Sequence, residues 1–177
     1  MLDLQDVLQS LEQRKKAPTE LWDPPYCGEL PIRIDEEGNW YYQNSRIQRI
    51  ELVRLFASVL AREDDCYYLI TPAEKVKITV ADAPFLIVGW DYISDTEPRV
   101  MQLTTNIGDQ LPLSPAHPVI LQDNYPYIDM GQGLLAKVHR NVYYQWLESV
   151  AKEPEDGTKK LIIQSAGQSF VIGELPA

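Results

Sequence analysis

The chain has few of the side chains that most catalytic and metal-binding sites use. Its 177 residues include two cysteines and two histidines. The cysteines, Cys27 and Cys66, follow no motif spacing. A disulfide framework needs more of them, and a structural zinc site needs about four clustered Cys or His ligands. We therefore expect reduced thiols and no bound metal.

The loops that mark nucleotide-dependent enzymes and hydrolases are also missing. The sequence has no GxxxxGK[ST], no GxGxxG after a predicted strand and no GxSxG. The Gly131-Gln-Gly133 segment is typical of a hairpin turn. Neither His117 nor His139 is placed by the sequence beside a nucleophile, and the run 63–65 lacks the spaced ligands of a calcium loop. We therefore expect no catalytic residue, no metal and no cofactor, although an acid–base enzyme stays open.

Long apolar runs and net positive charge are absent too. No stretch approaches the roughly 18 apolar residues of a membrane span, and residues 1–16 have acids where a secretory signal has bases. We expect a cytoplasmic protein. The net charge of −10 repels phosphates, so neither a nucleic acid polymer nor a membrane is an expected partner. A local site for one small anion stays open, because salt screens charge beyond about 10 Å.

The first half of the chain predicts strand pairs around one long helix. Leu4, Val7, Leu8 and Leu11 recur at helical spacing, so an amphipathic helix precedes a proline-containing linker, and its apolar face docks on the protein or on a partner. Next come strands, a helix that starts at a Ser45/Gln48 capping box and ends at an acidic run, and a second strand pair. The predicted strands are residues 31–35, 40–42, 66–71 and 74–80.

The second half loosely repeats this order. Its predicted helix runs over 140–152, and an acidic turn at 154–158 follows it. The predicted strands are residues 85–92, 99–104, 119–121, 127–129, 134–138, 160–165 and 169–173, with a turn at 94–98. Strands that outnumber interspersed helices indicate an α+β fold with mainly antiparallel sheet. Hairpin, helix and hairpin in both halves favour a duplicated core, although the aligned identity of the halves is poor.

Basic and aromatic residues recur together and indicate where an anion could bind. Arginine favours bidentate recognition of phosphate or carboxylate, and a helix N-terminus offers free N–H groups. Charge is assigned to four basic residues, stacking to two aromatic residues, and hydrogen bonding to a threonine and an asparagine. The alternative for each basic residue is a solvated side chain paired with an acid. The candidate ligand-binding residues are Arg33, Trp40, Arg49, Thr71, Lys75, Asn106, Tyr127 and Arg140.

Several segments, taken together and in order, resemble the bacterial family called domain of unknown function 1285. They extend from about Leu21 to Gly173, nearly the whole chain. Cys66 stands where that pattern often has glycine, and Leu135 where it often has an acid. The longest matching segments are WDPP at 22–25, LVRLFASVL at 52–60, YLITPAEK at 68–75 and DAPF at 82–85.

This resemblance implies two domains with related halves, the second similar to a pleckstrin-homology-like sheet. It implies a ligand site at the domain interface, a nucleotide-like ligand and a role in signalling, and it brings no catalytic residue. We expect a helix and linker over 1–20, an N-terminal α+β domain over 21–83 and a C-terminal one over 84–177. The leading hypothesis is a non-catalytic binding protein for a small anion. The alternatives are a protein–protein interaction module and an enzyme that uses Glu or Asp acid–base chemistry.

Overall fold

The fold is a computed structural model that describes residues 4–93 and 96–176. The chain divides into two compact units. Residues 15–85 with 132–134 form one, here called the N-terminal unit, and the rest of the described chain forms the C-terminal unit. The C-terminal unit therefore includes the first helix, α1 (Leu4–Leu11). None of the described helices is long and apolar enough to cross a bilayer.

The N-terminal unit is a six-stranded sheet with one helix. The strand order is β3-β2-β1-β6-β5-β4, in which β1 and β6 are parallel and the other neighbours are antiparallel. Since β3 and β4 are the two edges, the segment with α2 crosses the whole sheet. The elements are β1 (Tyr26–Ile34), β2 (Trp40–Tyr42), β3 (Ser45–Arg46), α2 (Ile50–Ser58), β4 (Leu60–Glu63), β5 (Cys66–Ile70) and β6 (Lys75–Val80).

The alternation of side chains along the strands determines which residues form the core of this unit. Ile32 and Ile34 are buried while Arg33 between them is exposed, because successive side chains of a strand point to opposite faces. Trp40 pairs with Ile34 across the β1–β2 ladder, and its ring stacks on Phe56 of α2 with centroids 6.1 Å apart. Helix α2 therefore covers one face of the sheet and leaves the other open.

The predicted bounds of the long helix are wrong at both ends. Ser45 belongs to β3 rather than to a capping box, and Arg49 precedes the helix without a side-chain cap. Gln43 and Asn44 have positive φ, which lets a tight turn fold β3 back onto β2. At the other end the chain leaves the helix after Ser58 and enters β4. The acidic run at 63–65 is thus part of the β4–β5 hairpin, not a helix end.

The C-terminal unit repeats the same sheet order. Its strands run β10-β11-β12-β7-β8-β9, which is the N-terminal order read from the other edge. Residues Ser94 and Asp95 of the predicted turn lie outside the described residues. The elements are β7 (Phe85–Ile93), β8 (Val100–Thr105), β9 (Gln110–Pro112), β10 (Val119–Gln122), β11 (Tyr125–Gly131), β12 (Leu134–Val138), α3 (Arg140–Ser149), β13 (Lys160–Ser165) and β14 (Gln168–Glu174).

Two similar domains are therefore confirmed, but the repeated element differs from the predicted one. In each sheet the first three strands of the sequence lie side by side, and the next three strands of the sequence lie beside them as a second group. In the N-terminal unit α2 lies between the two triplets, whereas α3 follows the sixth strand of the C-terminal sheet. The hairpin β13–β14 after α3 is an addition to the repeat. The apparent match between α2 and α3 was wrong because it compared elements at different positions of the repeat.

Helix α1 packs on the C-terminal unit. Its apolar residues are all partly buried, and Gln102 donates a hydrogen bond of 2.8 Å to the carbonyl of Leu11. Just after the helix, Gln13 and Gln110 exchange two backbone hydrogen bonds of 2.7 and 2.9 Å. Since Gln110 lies on β9, an edge strand, this segment pairs with a sheet edge that would otherwise be open. Of the two predicted docking modes, the structure has the one within the chain.

Candidate functional site

The open face of the N-terminal sheet gathers basic and aromatic side chains. Register pairs place them beside one another: Arg33 opposite Tyr41, and Tyr68 opposite Lys77. Because paired residues share a face of the sheet, all of them lie on the side away from the buried isoleucines. We call this surface the tyrosine–lysine face. It consists of Tyr26, Arg33, Tyr41, Tyr68, Lys75 and Lys77.

Cation–π contacts hold two of the three cations of this face, Arg33 and Lys75. The Arg33 guanidinium carbon lies 3.9 Å from the centre of the Tyr41 ring. The Lys75 ammonium lies 4.5 Å from the Tyr68 ring centre. Tyr26 meets Tyr68 edge to face, with centroids 6.2 Å apart. At partly exposed sites such contacts contribute about 0.5–1 kcal/mol each, so they position the charges without burying them.

Two carboxylates partner the lysines, one closely and one loosely. Glu63 accepts a short hydrogen bond from the Lys75 ammonium, and this hydrogen bond is the main reason that the pKa of Lys75 is raised. Lys77 lies 3.8 Å from Glu29. The negative charge of Cys66 in its thiolate form, and then that of Glu29, raise the pKa of Lys77. Both lysines are therefore cationic at neutral pH, and Lys77 has the weaker carboxylate contact.

The other end of the face is acidic. A surface groove of about 540 Å³ is lined there by Arg33 and Thr79 together with the turn residues 35–37, two glutamates and an aspartate. Asp35 accepts hydrogen bonds from the Asn39 amide at 2.9 Å and the Tyr41 hydroxyl at 3.1 Å. Burial raises the pKa of Asp35, but these hydrogen bonds outweigh it and the pKa is lowered. A phosphate therefore fits the lysine end of the face better than this groove.

The predicted site residues of the N-terminal unit have different surroundings. Arg33 and Lys75 share the tyrosine–lysine face. Trp40 is 2% exposed in the core, which leaves its ring no surface for a ligand. Arg49 is exposed just before α2. The Thr71 hydroxyl accepts hydrogen bonds from the backbone of residues 73 and 74, so it holds the β5–β6 turn.

The three predicted residues of the C-terminal unit have different surroundings as well. The Asn106 side chain accepts a hydrogen bond from the Leu86 amide at 3.1 Å. Tyr127 is 7% exposed, and the Lys137 ammonium lies 5.9 Å from its ring centre. Arg140 is exposed at the first position of α3. The eight predicted residues therefore do not form one cluster in either unit.

Four residues of the tyrosine–lysine face were not among the predicted site residues. Tyr26, Tyr41, Tyr68 and Lys77 depend on cross-strand register, which no single segment of sequence contains. The available signal was the two-residue alternation of 66–70 and 75–79, which puts Tyr68, Lys75 and Lys77 on alternating positions. Among the described residues no group of three metal-ligating side chains is present.

Together these features define a two-domain α+β protein with a repeated six-stranded sheet and a basic, aromatic surface on its first sheet. The chain belongs to the DUF1285 family. The family described as "Domain of unknown function (DUF1285), N-terminal domain" matches residues 17–83. The one described as "Protein of unknown function (DUF1285), C-terminal domain" matches residues 84–172. No curated protein matches the chain.

Two solved structures of this family are similar to the chain. The crystal structure of a DUF1285 family protein from Silicibacter pomeroyi DSS-3 is 30% identical, with a TM-score of 0.80 over 99% of this chain and 97% of that one. A DUF1285 family protein from Shewanella baltica OS155 is 32% identical, with a TM-score of 0.56 over 67% of this chain and 91% of that one. The first likeness extends over both units, and the family resemblance noted in the sequence is thereby confirmed.

Proposed function

We propose that the protein is a non-catalytic binding protein for a small, nucleotide-like anion, which binds at the lysine end of the tyrosine–lysine face. One observation supports this most: in a chain of net charge −10, Lys75 and Lys77 lie side by side with two tyrosine rings on one open sheet face. Ammonium groups recognise phosphate, and tyrosine rings stack on bases. A role in signalling and a pleckstrin-homology-like C-terminal sheet are further parts of the proposal.

The looseness of the Lys77–Glu29 pair explains how an anion could enter. Glu29 is 71% exposed and Lys77 37% exposed. Exposed pairs of this kind contribute about 0–1 kcal/mol. A phosphate can therefore replace the Glu29 carboxylate at Lys77 with little loss. Lys75 keeps its contact with Glu63 and adds a second positive charge at short range.

Thermal unfolding with a panel of nucleotides and inorganic phosphates tests the proposal. A ligand of the native state stabilises it by about 2.7 kcal/mol at a hundredfold excess over its dissociation constant. We expect a selective rise in Tm for one class of the panel. Lys77→Gln should weaken binding by about tenfold or more, because a hydrogen bond to a charged group contributes about 1.5–3 kcal/mol.

Lys159→Gln is the matched control. Lys159 is an exposed lysine of the C-terminal unit and lies outside the tyrosine–lysine face. The Lys159→Gln variant loses the same single positive charge as Lys77→Gln, so a general effect of net charge on binding would appear equally in both variants. No rise in Tm across the panel, or an equal loss in both variants, would contradict the proposal.

A protein partner is the second candidate function. Two apolar side chains of α2, Ile50 and Leu55, are exposed on the N-terminal unit. The expected route through α1 has less support, because the apolar residues of α1 are partly buried within the chain. Leu55→Ser should abolish capture of a partner while leaving Tm and any nucleotide shift unchanged.

The acid–base enzyme has less support. Such an enzyme needs two carboxyl groups whose pKa values are shifted in opposite directions. The pKa shifts resolved for carboxyl groups of the described residues, those of Asp35 and Asp156, are both downward.

A further inference from the structure

We propose a separate ligand site in the C-terminal unit, at Arg99 and the β13–β14 turn, for a small amino-acid-like zwitterion. A cavity of about 300 Å³ opens there between the segment 97–99 and the residues around the turn. That volume is at the lower end of the range for small-molecule pockets. It suits a molecule of the size of a free amino acid.

The cation of this site is fixed in position. The Arg99 guanidinium carbon lies 3.9 Å from the centre of the Tyr92 ring. The Tyr92 hydroxyl donates a hydrogen bond of 2.9 Å to the carbonyl of Gln164 on β13. The amide of Ala166 donates one of 2.9 Å to the carbonyl of Arg99. Both walls of the cavity are thus joined, and the planar guanidinium is held ready for a carboxylate, which it can bind through two parallel hydrogen bonds.

The charge of Arg99 is not neutralised by an ion pair within the described part of the chain. No carboxylate of the described residues forms an ion pair with it. Its cation–π contact with Tyr92 leaves the N–H groups at the edge of the guanidinium plane available to a ligand.

Neutral donors line the opposite wall. Gln164 pairs with Ser169 across the hairpin, and Gln168 follows the turn, and all three side chains are exposed. Ser165 lines the same cavity but is already committed, because its hydroxyl donates to the Leu113 carbonyl at 2.6 Å and accepts from the Met101 amide at 2.8 Å. Ser165 therefore forms part of the cavity wall, while the side-chain amides of Gln164 and Gln168 and the Ser169 hydroxyl can donate hydrogen bonds to a bound carboxylate.

Glu97 decides the class of ligand. It lines the cavity together with Arg99, and a carboxylate beside the guanidinium disfavours a plain anion. A ligand with a carboxylate for Arg99 and an ammonium for Glu97 satisfies both charges. Inorganic phosphate and simple carboxylates satisfy one of them. The pairing of opposite charges within one small cavity therefore points to a zwitterion.

Nuclear magnetic resonance of the full chain locates this binding directly. The backbone amides of Gly167 and Gln168 report on the cavity, and those of the tyrosine–lysine face report on the other site. Free amino acids are titrated alongside the matching carboxylates without an amine, the matching amines without a carboxylate, and inorganic phosphate. We expect saturable shifts at Gly167 and Gln168 for amino acids, and at least tenfold weaker binding of the other three classes.

Two variants with a matched control test the proposed roles of Arg99 and Glu97 in binding the zwitterion. Arg99→Gln should weaken amino-acid binding at least tenfold, and Glu97→Gln should weaken it while bringing the amine-free carboxylates to equal or better affinity. Glu97 is exposed, so its variant keeps the test valid if Arg99→Gln disturbs folding. Lys159→Gln, which removes one positive charge from an exposed residue of the same unit outside this cavity, should change nothing. Phosphate binding more tightly than every amino acid, or no saturable shift with any of them, would overturn the proposal.

Discussion

Replacing Leu60 by alanine should destabilise the protein far more than the same change at Leu55. The two leucines are close in sequence, but Leu60 on β4 is 0% exposed whereas Leu55 on α2 is 61% exposed. Leu60→Ala removes the hydrophobic burial and leaves a cavity in the core, which together cost about 3–4 kcal/mol. Leu55→Ala removes little buried surface, and alanine is the better helix former, so its effect should stay within about 0.5 kcal/mol.

Urea unfolding and thermal unfolding, each followed by far-UV circular dichroism and tryptophan fluorescence, measure both variants. Trp40 lies in the same core and reports on it. At about 2–4 °C per kcal/mol for a chain of this size, Leu60→Ala should lower Tm by roughly 6–16 °C. A similar loss of stability in the two variants, or a cost of Leu60→Ala below about 1 kcal/mol, would contradict this prediction. Either result would mean that Leu60 is not packed in the core, or that Leu55 is not on the solvent side of α2.

Two further predictions concern a turn and a close contact. Asp35→Ala should cost about 1–2 kcal/mol at pH 7, since Asp35 accepts hydrogen bonds from Asn39 and Tyr41. The pKa of Asp35 is lowered on folding, so this stability is present above the unfolded pKa and is lost as pH falls through the folded one. The gap between wild type and variant in urea unfolding should therefore shrink below about pH 4, and a gap that widens there would contradict it. Gly173→Ala places a Cβ 2.8 Å from the Tyr143 hydroxyl and should cost about 1–3 kcal/mol. The cost should fall in a Tyr143→Phe background, and an unchanged cost would refute the contact.

Element type was predictable wherever alternation or helical spacing was strong. The strands at 85–92 and 134–138 and the helix at 140–152 lie close to β7, β12 and α3. The start of α2 was not predictable, because the pattern at Ser45 and Gln48 is equally compatible with a cap and with a turn into β3. Strand β9 was not predicted because it has three residues, which are too few to show an alternation of apolar and polar side chains.

The candidate site was less predictable than the fold. Arg33 and Lys75 were predicted because each lies beside aromatic residues in sequence or on an alternating strand. Trp40 was misassigned because a tryptophan in a short strand faces the core or the solvent according to register, and its pairing with Ile34 places it inside. Lys77 becomes part of the site through its cross-strand partner Tyr68. Such long-range pairing cannot be read from one segment of the chain.

The two sheets share a strand order but must differ in curvature. In each sheet the third and fourth strands are opposite edges, and five strand spacings of about 4.8 Å separate the edges of a flat sheet by about 24 Å. Helix α2 lies in the connection that crosses the N-terminal sheet. In the C-terminal sheet the connection is residues 113–118, and Ser114 and His117 pair with each other inside it. Six residues folded into a turn cannot reach about 24 Å at no more than about 3.6 Å per residue.

Strands β9 and β10 must therefore lie closer together than in a flat sheet, so the C-terminal sheet curls. A curled sheet hides its concave side chains, which agrees with the complete burial of Leu103, Leu111 and Ile128. The N-terminal sheet, covered by α2 on one face, leaves the other face to solvent. The basic and aromatic surface thus lies on the sheet whose crossing connection is long enough to include a helix.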